Sequence, residues 1–127
     1  MEVAKKVAAG AAAEATKNNF TMAIAIVDAG GTLTYFEKID GTQIASVEAA
    51  IGKARSANGY KRPTKVFEDA VAGGRNALLA LPGVLPIEGG VPLVADGKVI
   101  GAIGVSGGSA QQDGQVAAAG ATALTAK

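Results

Sequence analysis

The chain has no cysteine, no histidine and no tryptophan. Without cysteine it has neither disulfides nor thiolate metal sites. Without histidine it lacks the commonest metal ligand and the usual general base near neutral pH. Aromatic residues are 4% of the total, which leaves little for stacking on nucleobases. Neither sign of charge is in excess: twelve Lys and Arg stand against eleven Asp and Glu, a net charge of +1. With no basic stripe and few aromatics, a nucleic-acid surface is not expected. No apolar run reaches the roughly 20 residues of a membrane-spanning helix. The alanine-rich N-terminus carries Glu2 and Glu14, so it does not read as a secretory leader. The expected location is the cytoplasm, or outside the cell if a leader has been removed.

What the chain does have is small residues. Its 127 residues are 49% apolar and include 18 glycines, with alanine dominating the rest. The length suits one domain spanning 1–127. Small side chains let elements approach closely, but each buries little area. Burial at subunit contacts is the expected supplement.

Read in order, residues 2–17 form a helix whose stripe is Val3, Val7, Ala11 and Ala15. Thr21–Val27 is apolar on both faces and reads as an inner strand. A turn at Asp28–Gly31 returns the chain as a second strand, Thr32–Lys38. Asp40 and Gln43 have capping-box spacing and open a second helix. Ile44, Val47, Ile51 and Ala54 follow its period, with Ala45, Ala49 and Gly52 beside them. Asn58-Gly59 should end it. Thr64 can cap a short helix to about Ala72, and Arg75–Leu81 adds a helical turn or two. Val84–Ile87 is a brief extended piece.

The most informative stretch is Glu88–Asp113. Two apolar runs, Val91–Ala95 and Val99–Val105, flank Asp96-Gly97, the signal of a tight hairpin. A glycine-rich corner, Ser106–Ser109, then leads into a last helix reaching about Ala126, with Ser109 and Gln112 as a second capping box. Hairpins separated by helices point to an α+β fold with a largely antiparallel sheet.

Several motifs resemble the GlcG/HbpS family, which also supplies the C-terminal domain of PduO proteins. They are Val27-Asp28-x-Gly30-Gly31-x-Leu33, Asp40-Gly41, Lys53-Ala54, Arg62-Pro63-Thr64, Gly89-Gly90-Val91-Pro92-Leu93, and Gly101 to Gly107 followed by Gln112-Asp113. The resemblance covers nearly the whole chain. It implies a profilin-like arrangement with a central antiparallel sheet of about five strands flanked by helices. It implies homo-oligomers built from dimers, tetramers or octamers among them, with ligand sites near subunit contacts. It also implies an association with haem binding or degradation, corrinoid pathways or glycolate-utilisation operons. Haem binding in that family has been attributed to histidine, which this chain lacks. The remaining axial candidates are Tyr35, Tyr60, Met1, Met22 or a lysine. Tyr60 stands first, because Lys61 and Arg62 beside it could meet propionates; Met22 reads as core.

Three groups could carry chemistry. The corner Ser106, Gly107, Gly108 and Ser109 offers backbone N–H groups at a helix start, suited to an anion. It is neither a Walker loop nor a dinucleotide fingerprint. Lys53, Arg62 and Lys65 suit a carboxylate; Lys53 and Arg62, with Tyr60 and the corner, make up the expected ligand-binding set. The acidic group is Asp28, Asp40, Glu88 and Asp113, each at a turn or cap. Glu88 and Asp113 are the candidates for acid–base work, although the first-turn position of Asp113 suits the helix dipole alone. No metal site is expected. The foremost expectation is a homo-oligomeric protein binding a small acidic ligand, with haem or a related tetrapyrrole first among cofactors. The alternatives are an enzyme acting on a small carboxylate metabolite at a subunit-interface cleft, and a structural self-assembling protein.

Overall fold

The computed structural model describes residues 2–125. Along the chain run α1 (Glu2–Lys17), β1 (Ala23–Asp28), β2 (Leu33–Lys38), α2 (Ala45–Tyr60) and α3 (Thr64–Ala72). A 3-10 turn at Asn76–Ala80 follows, then β3 (Gly90–Ala95), β4 (Lys98–Ser106) and α4 (Ala110–Ala123). The strands form one antiparallel sheet in the order β2-β1-β4-β3. The both-sided apolar strand β1 is an inner strand, as its sequence predicts. Asp96 (φ 53°) and Gly97 (φ 77°) both have positive φ, the geometry of a type I′ hairpin turn.

Residue size alternates with the pleat on the two inner strands, and that alternation sets the layers. Ile24, Ile26, Ile103 and Val105 face α1 and α4 and bury with Val7, Met22 and Val116. Each large apolar side chain fully buried there contributes about 1.5–3 kcal/mol. Ala23, Ala25, Val27 and Ala102 face the other way and pack with Ala50, Ala54 and Ala57 of α2. At Gly104, in the same row, any Cβ would overlap the Ala50 carbonyl oxygen. The backbone of α2 therefore lies almost directly on β4.

This close approach shifts the buried face of α2 away from the expected stripe, of which only Ala54 is fully buried. Ile44, expected to lead its apolar stripe, is 83% exposed just before the helix, and Val47 and Ile51 are only partly buried. The buried face carries Ser46, Ala50, Lys53, Ala54, Ser56 and Ala57. Only small or slender side chains fit against a wall of alanine and glycine. In α1 Val7, Ala11 and Ala15 of the expected stripe are buried, while Ala4 takes the place of Val3, which is exposed.

Other boundaries also differ. The Asp40–Gln43 box does not form: residues 39–42 make a turn closed by Thr42, and the Gln43 amide donates to Ser46 Oγ at 3.3 Å. The helix opens at Ile44 with no side-chain cap. It runs through Asn58-Gly59 and stops at Lys61, which takes the left-handed conformation (φ 55°). Thr64 does not cap α3; its hydroxyl accepts from the Gly90 N–H at 2.9 Å and anchors β3. The Ser109–Gln112 box is present in both directions. The expected helix end at Ala126 lies outside the described residues, as does Met1.

The sheet has four strands among the described residues, not about five. Val84–Ile87, the expected extended piece, joins no ladder. Its donors go elsewhere: Leu85 N–H to Ser56 Oγ at 3.1 Å, Val84 N–H to Leu81 and Ile87 N–H to Leu85.

Candidate functional site

Lys53 lies mid-way along α2, 2% exposed. Its ammonium donates to the Val105 carbonyl at 3.0 Å and to Asp113 Oδ2 at 2.9 Å. The second Asp113 oxygen accepts from the Gly108 N–H at 2.9 Å. One side chain thus ties α2 to the end of β4 and to the first turn of α4. Gly89 makes room for it, since a Cβ there would lie 2.8 Å from Lys53 Nζ. Asp113 is 3% exposed, so the helix dipole is not its whole role. Burial pushes its carboxyl above the usual carboxylate range, with the Gly108 N–H and the Lys53 ammonium pulling in the opposite direction.

Beside this pair opens a cleft of about 610 Å³, within the range of small-molecule sites, ~300–1,000 Å³. Its apolar lining comes from Ala49 and Gly52 of α2 and from Val84, Leu85 and Ile87, with Leu85 packed against Gly52, where a Cβ would lie 3.1 Å from Leu85 Cδ2. Lys53, Asp113, Ser106 and Gly108 supply its polar end, and Glu48 stands exposed at the rim. The Ser106 hydroxyl has no protein partner among the described residues. The helix-start N–H groups of Ala110 and Gln111 are free of intrahelical bonds.

The residues singled out from the sequence separate in space. Lys53, Ser106, Gly108 and Asp113 meet at the cleft. Ser109 borders it in sequence, but its hydroxyl accepts from the Gln112 N–H at 3.1 Å in the cap. Gly107 (φ 151°) packs where a Cβ would overlap the Thr21 carbonyl. Tyr60 and Arg62 lie outside the lining. The Tyr60 hydroxyl donates to the Pro82 carbonyl, and its ring meets Phe67 edge-on at 5.4 Å. Arg62 Nε donates to the Tyr60 carbonyl at 3.0 Å, and its guanidinium stands 5.9 Å from the Phe67 ring centre. Lys65 pairs with Asp69 at 3.0 Å in solvent. The Glu88 N–H donates to Glu68 Oε1 at 2.9 Å, and the Glu88 carboxylate lies against Gly114 of α4.

The sequence did not point to Glu48, Val84, Leu85 or Ile87 as site residues. The usable signal was the i, i+3, i+4 spacing of Ala49, Gly52 and Lys53, small residues beside a cation on one helix edge. A second cavity of about 160 Å³ lies at the other end of β1 and includes Asp28. That carboxylate is engaged by the Gly30 and Thr32 N–H groups at 3.0 Å. Among the described residues no three Asp or Glu side chains converge to hold a metal ion. No described helix is long and apolar enough to cross a membrane.

Comparison with known proteins gives a consistent result. Residues 1–122 match the family model described as haem degrading protein HbpS-like. Over 105 residues the chain is 41% identical to Protein GlcG of Escherichia coli strain K12, covering 83% of this chain and 78% of that protein. It is 37% identical over 99 residues to corrinoid adenosyltransferase PduO of Salmonella typhimurium strain LT2, 74% of this chain but 29% of that protein. The solved structure of HbpS superposes with a TM-score of 0.89 at 34% identity, covering 98% of this chain and 89% of that one. The PduOC:heme complex superposes at 0.87 with 30% identity, covering 98% and 94%. By sequence and by fold, the chain belongs to the HbpS-like family.

Proposed function

We propose that this chain binds a small ligand with an apolar body and an acidic end group in the cleft between α2 and residues 83–87. Haem or a related tetrapyrrole is the foremost candidate. The observation that carries this reading is the cleft itself: an apolar lining from α2 and residues 84–87 that also holds Lys53, Ser106 and the start of α4. The apolar lining suits an apolar body. A carboxylate at the polar end would meet the Lys53 ammonium, the free Ser106 hydroxyl and the first-turn N–H groups. The family and a solved relative in complex with heme support the choice of candidate.

The residues present fit the macrocycle and its carboxylates better than they fit the iron. Among the described residues none lining the cleft is a histidine, cysteine, tyrosine or methionine, the usual axial ligands, and the lysine there, Lys53, is engaged by Asp113 and the Val105 carbonyl. Met22 is fully buried on the α1/α4 side of the sheet, and the Tyr60 hydroxyl is engaged with Pro82. Binding through the cleft alone therefore does not depend on iron, and iron-free protoporphyrin should bind within a few-fold of haem. Titration read by the Soret band of haem and by porphyrin fluorescence checks this. Ala49→Phe should fill the cleft and weaken both ligands at least ~10-fold, about 1.4 kcal/mol. Tyr60→Phe and Arg62→Ala should leave affinity within two-fold. Unchanged binding by Ala49→Phe, or its loss on Tyr60→Phe, would sink the assignment.

The proposal includes self-association. Val66, Leu79 and Leu81 are exposed apolar residues on α3 and the turns after it. Sedimentation of the purified chain should show a dimer or a multiple of one, and a monomer at tens of micromolar would remove this part.

A further inference from the structure

Lys53 and Asp113 form a buried ion pair that lines a cleft. Such a pair is a weak source of stability, because an apolar pair of similar volume usually serves as well or better. Its position at the end of a ligand-sized cleft suggests chemistry instead. We propose that Lys53 is an amine nucleophile and Asp113 its acid–base partner, and that the pair forms an imine with a 2-oxo acid held in the cleft. This rests on the cleft being the binding site, and adds to it a substrate class and a covalent step.

Two Lys53 N–H groups go to Val105 and Asp113, which leaves the third. Ser106, with its unpartnered hydroxyl, faces the same space and can donate to a ketone oxygen. The free N–H of Ala110, which lines the cleft, can donate to the carboxylate of the same molecule. A ligand that enters the cleft expels water and disfavours the charged form of the pair. Asp113, already pushed up by burial, then accepts the proton of the Lys53 ammonium.

The freed amine attacks the carbonyl carbon. A C–N bond forms, the carbonyl π bond breaks, and a proton moves from nitrogen to oxygen to give a carbinolamine. Asp113 returns its proton to that hydroxyl, the C–O bond breaks and water leaves. The product is a protonated imine paired with the Asp113 carboxylate. The sum is an ammonium and a ketone giving an iminium and water, with no oxidant or reductant.

Phenylpyruvate tests this, since its ring suits the apolar lining. The protein is incubated with phenylpyruvate and sodium cyanoborohydride, which reduces any imine to a stable amine. Intact-mass measurement and peptide mapping follow. The expected result is one adduct per chain, on Lys53, formed ahead of the exposed Lys5, Lys61 and Lys65. Lys53→Arg keeps the positive charge and should give no adduct, and Ala49→Phe should reduce it at least ten-fold. Absence of an adduct, or one spread over exposed lysines with Lys53 unmodified, overturns the inference. Because the wild-type map is itself decisive, misfolding of a variant does not shield it. Tetrapyrrole binding that Ala49→Phe weakens, with no adduct on Lys53, sinks the covalent step and leaves the proposed function standing.

Discussion

Asp113→Ala is expected to destabilise the protein by about 3–5 kcal/mol, because removing one partner strands the other charge in a buried site. Lys53 sits mid-helix, 2% exposed, with the Val105 carbonyl as its remaining partner. A domain of this size has ~5–15 kcal/mol of stability in all, so the loss should be plain in urea denaturation. The paired replacement, Lys53→Met with Asp113→Leu, removes both charges at similar volume and should recover most of the loss or exceed wild type. A single variant within 1 kcal/mol of wild type would show that the ammonium escapes to solvent.

The same residue sets a pH dependence with an uncommon sign. The folded-state pKa of Asp113 lies above its ordinary 3.8, chiefly through burial. The folded state therefore holds this proton more tightly than the unfolded chain does. The resulting stabilisation is fully present below pH 3.8 and is lost as pH rises through the folded pKa. The deficit of Asp113→Asn relative to wild type should widen as pH is lowered from 7 toward 4. A conventional salt-bridged carboxylate predicts a narrowing deficit. Urea curves for both proteins across that range decide between them.

Gly104→Ala is expected to cost about 3 kcal/mol, the upper part of the range for overpacking. The added methyl overlaps the Ala50 carbonyl oxygen and sits against the Ala54 nitrogen at 2.5 Å. Both are backbone atoms, so no rotamer change relieves the clash, and α2 must lift from the sheet. That shift would also move Ala49, Gly52 and Lys53, so ligand affinity should fall with stability. Gly59→Ala is the control: a Cβ there meets nothing within 4 Å, and the change should stabilise the helix by roughly 0.5–1 kcal/mol. Equal effects at the two positions would contradict the close contact of α2 with β4.

How much of this was legible varies by element, and the reasons are local. The β3–β4 hairpin was readable because Asp96-Gly97 permits positive φ at both turn positions. The cap of α4 was readable because Ser109 and Gln112 satisfy each other within four residues. The same reasoning failed at Asp40–Gln43, where identical spacing met a turn held by Thr42 and Ile39. Half of the candidate site was visible as a glycine-rich corner followed by Asp113. The apolar lining was not, since Val84, Leu85 and Ile87 come from a segment with no regular pattern of its own.

Local signals in the sequence were sufficient for the order of helices and strands, for the inner position of β1 and for the family. Each depends on neighbouring residues or on a contiguous motif. Which face of α2 turns inward was decided only by tertiary structure. Periodicity favoured Ile44, Val47, Ile51 and Ala54, yet of these the small-residue surface of β1 and β4 admits only Ala54, beside Ala50, Ala57 and the slender stem of Lys53. That choice buries Lys53 against Asp113, 60 residues further on. A charge pairing across that distance leaves no trace in local spacing, because it exists only once the sheet has brought the two helices together.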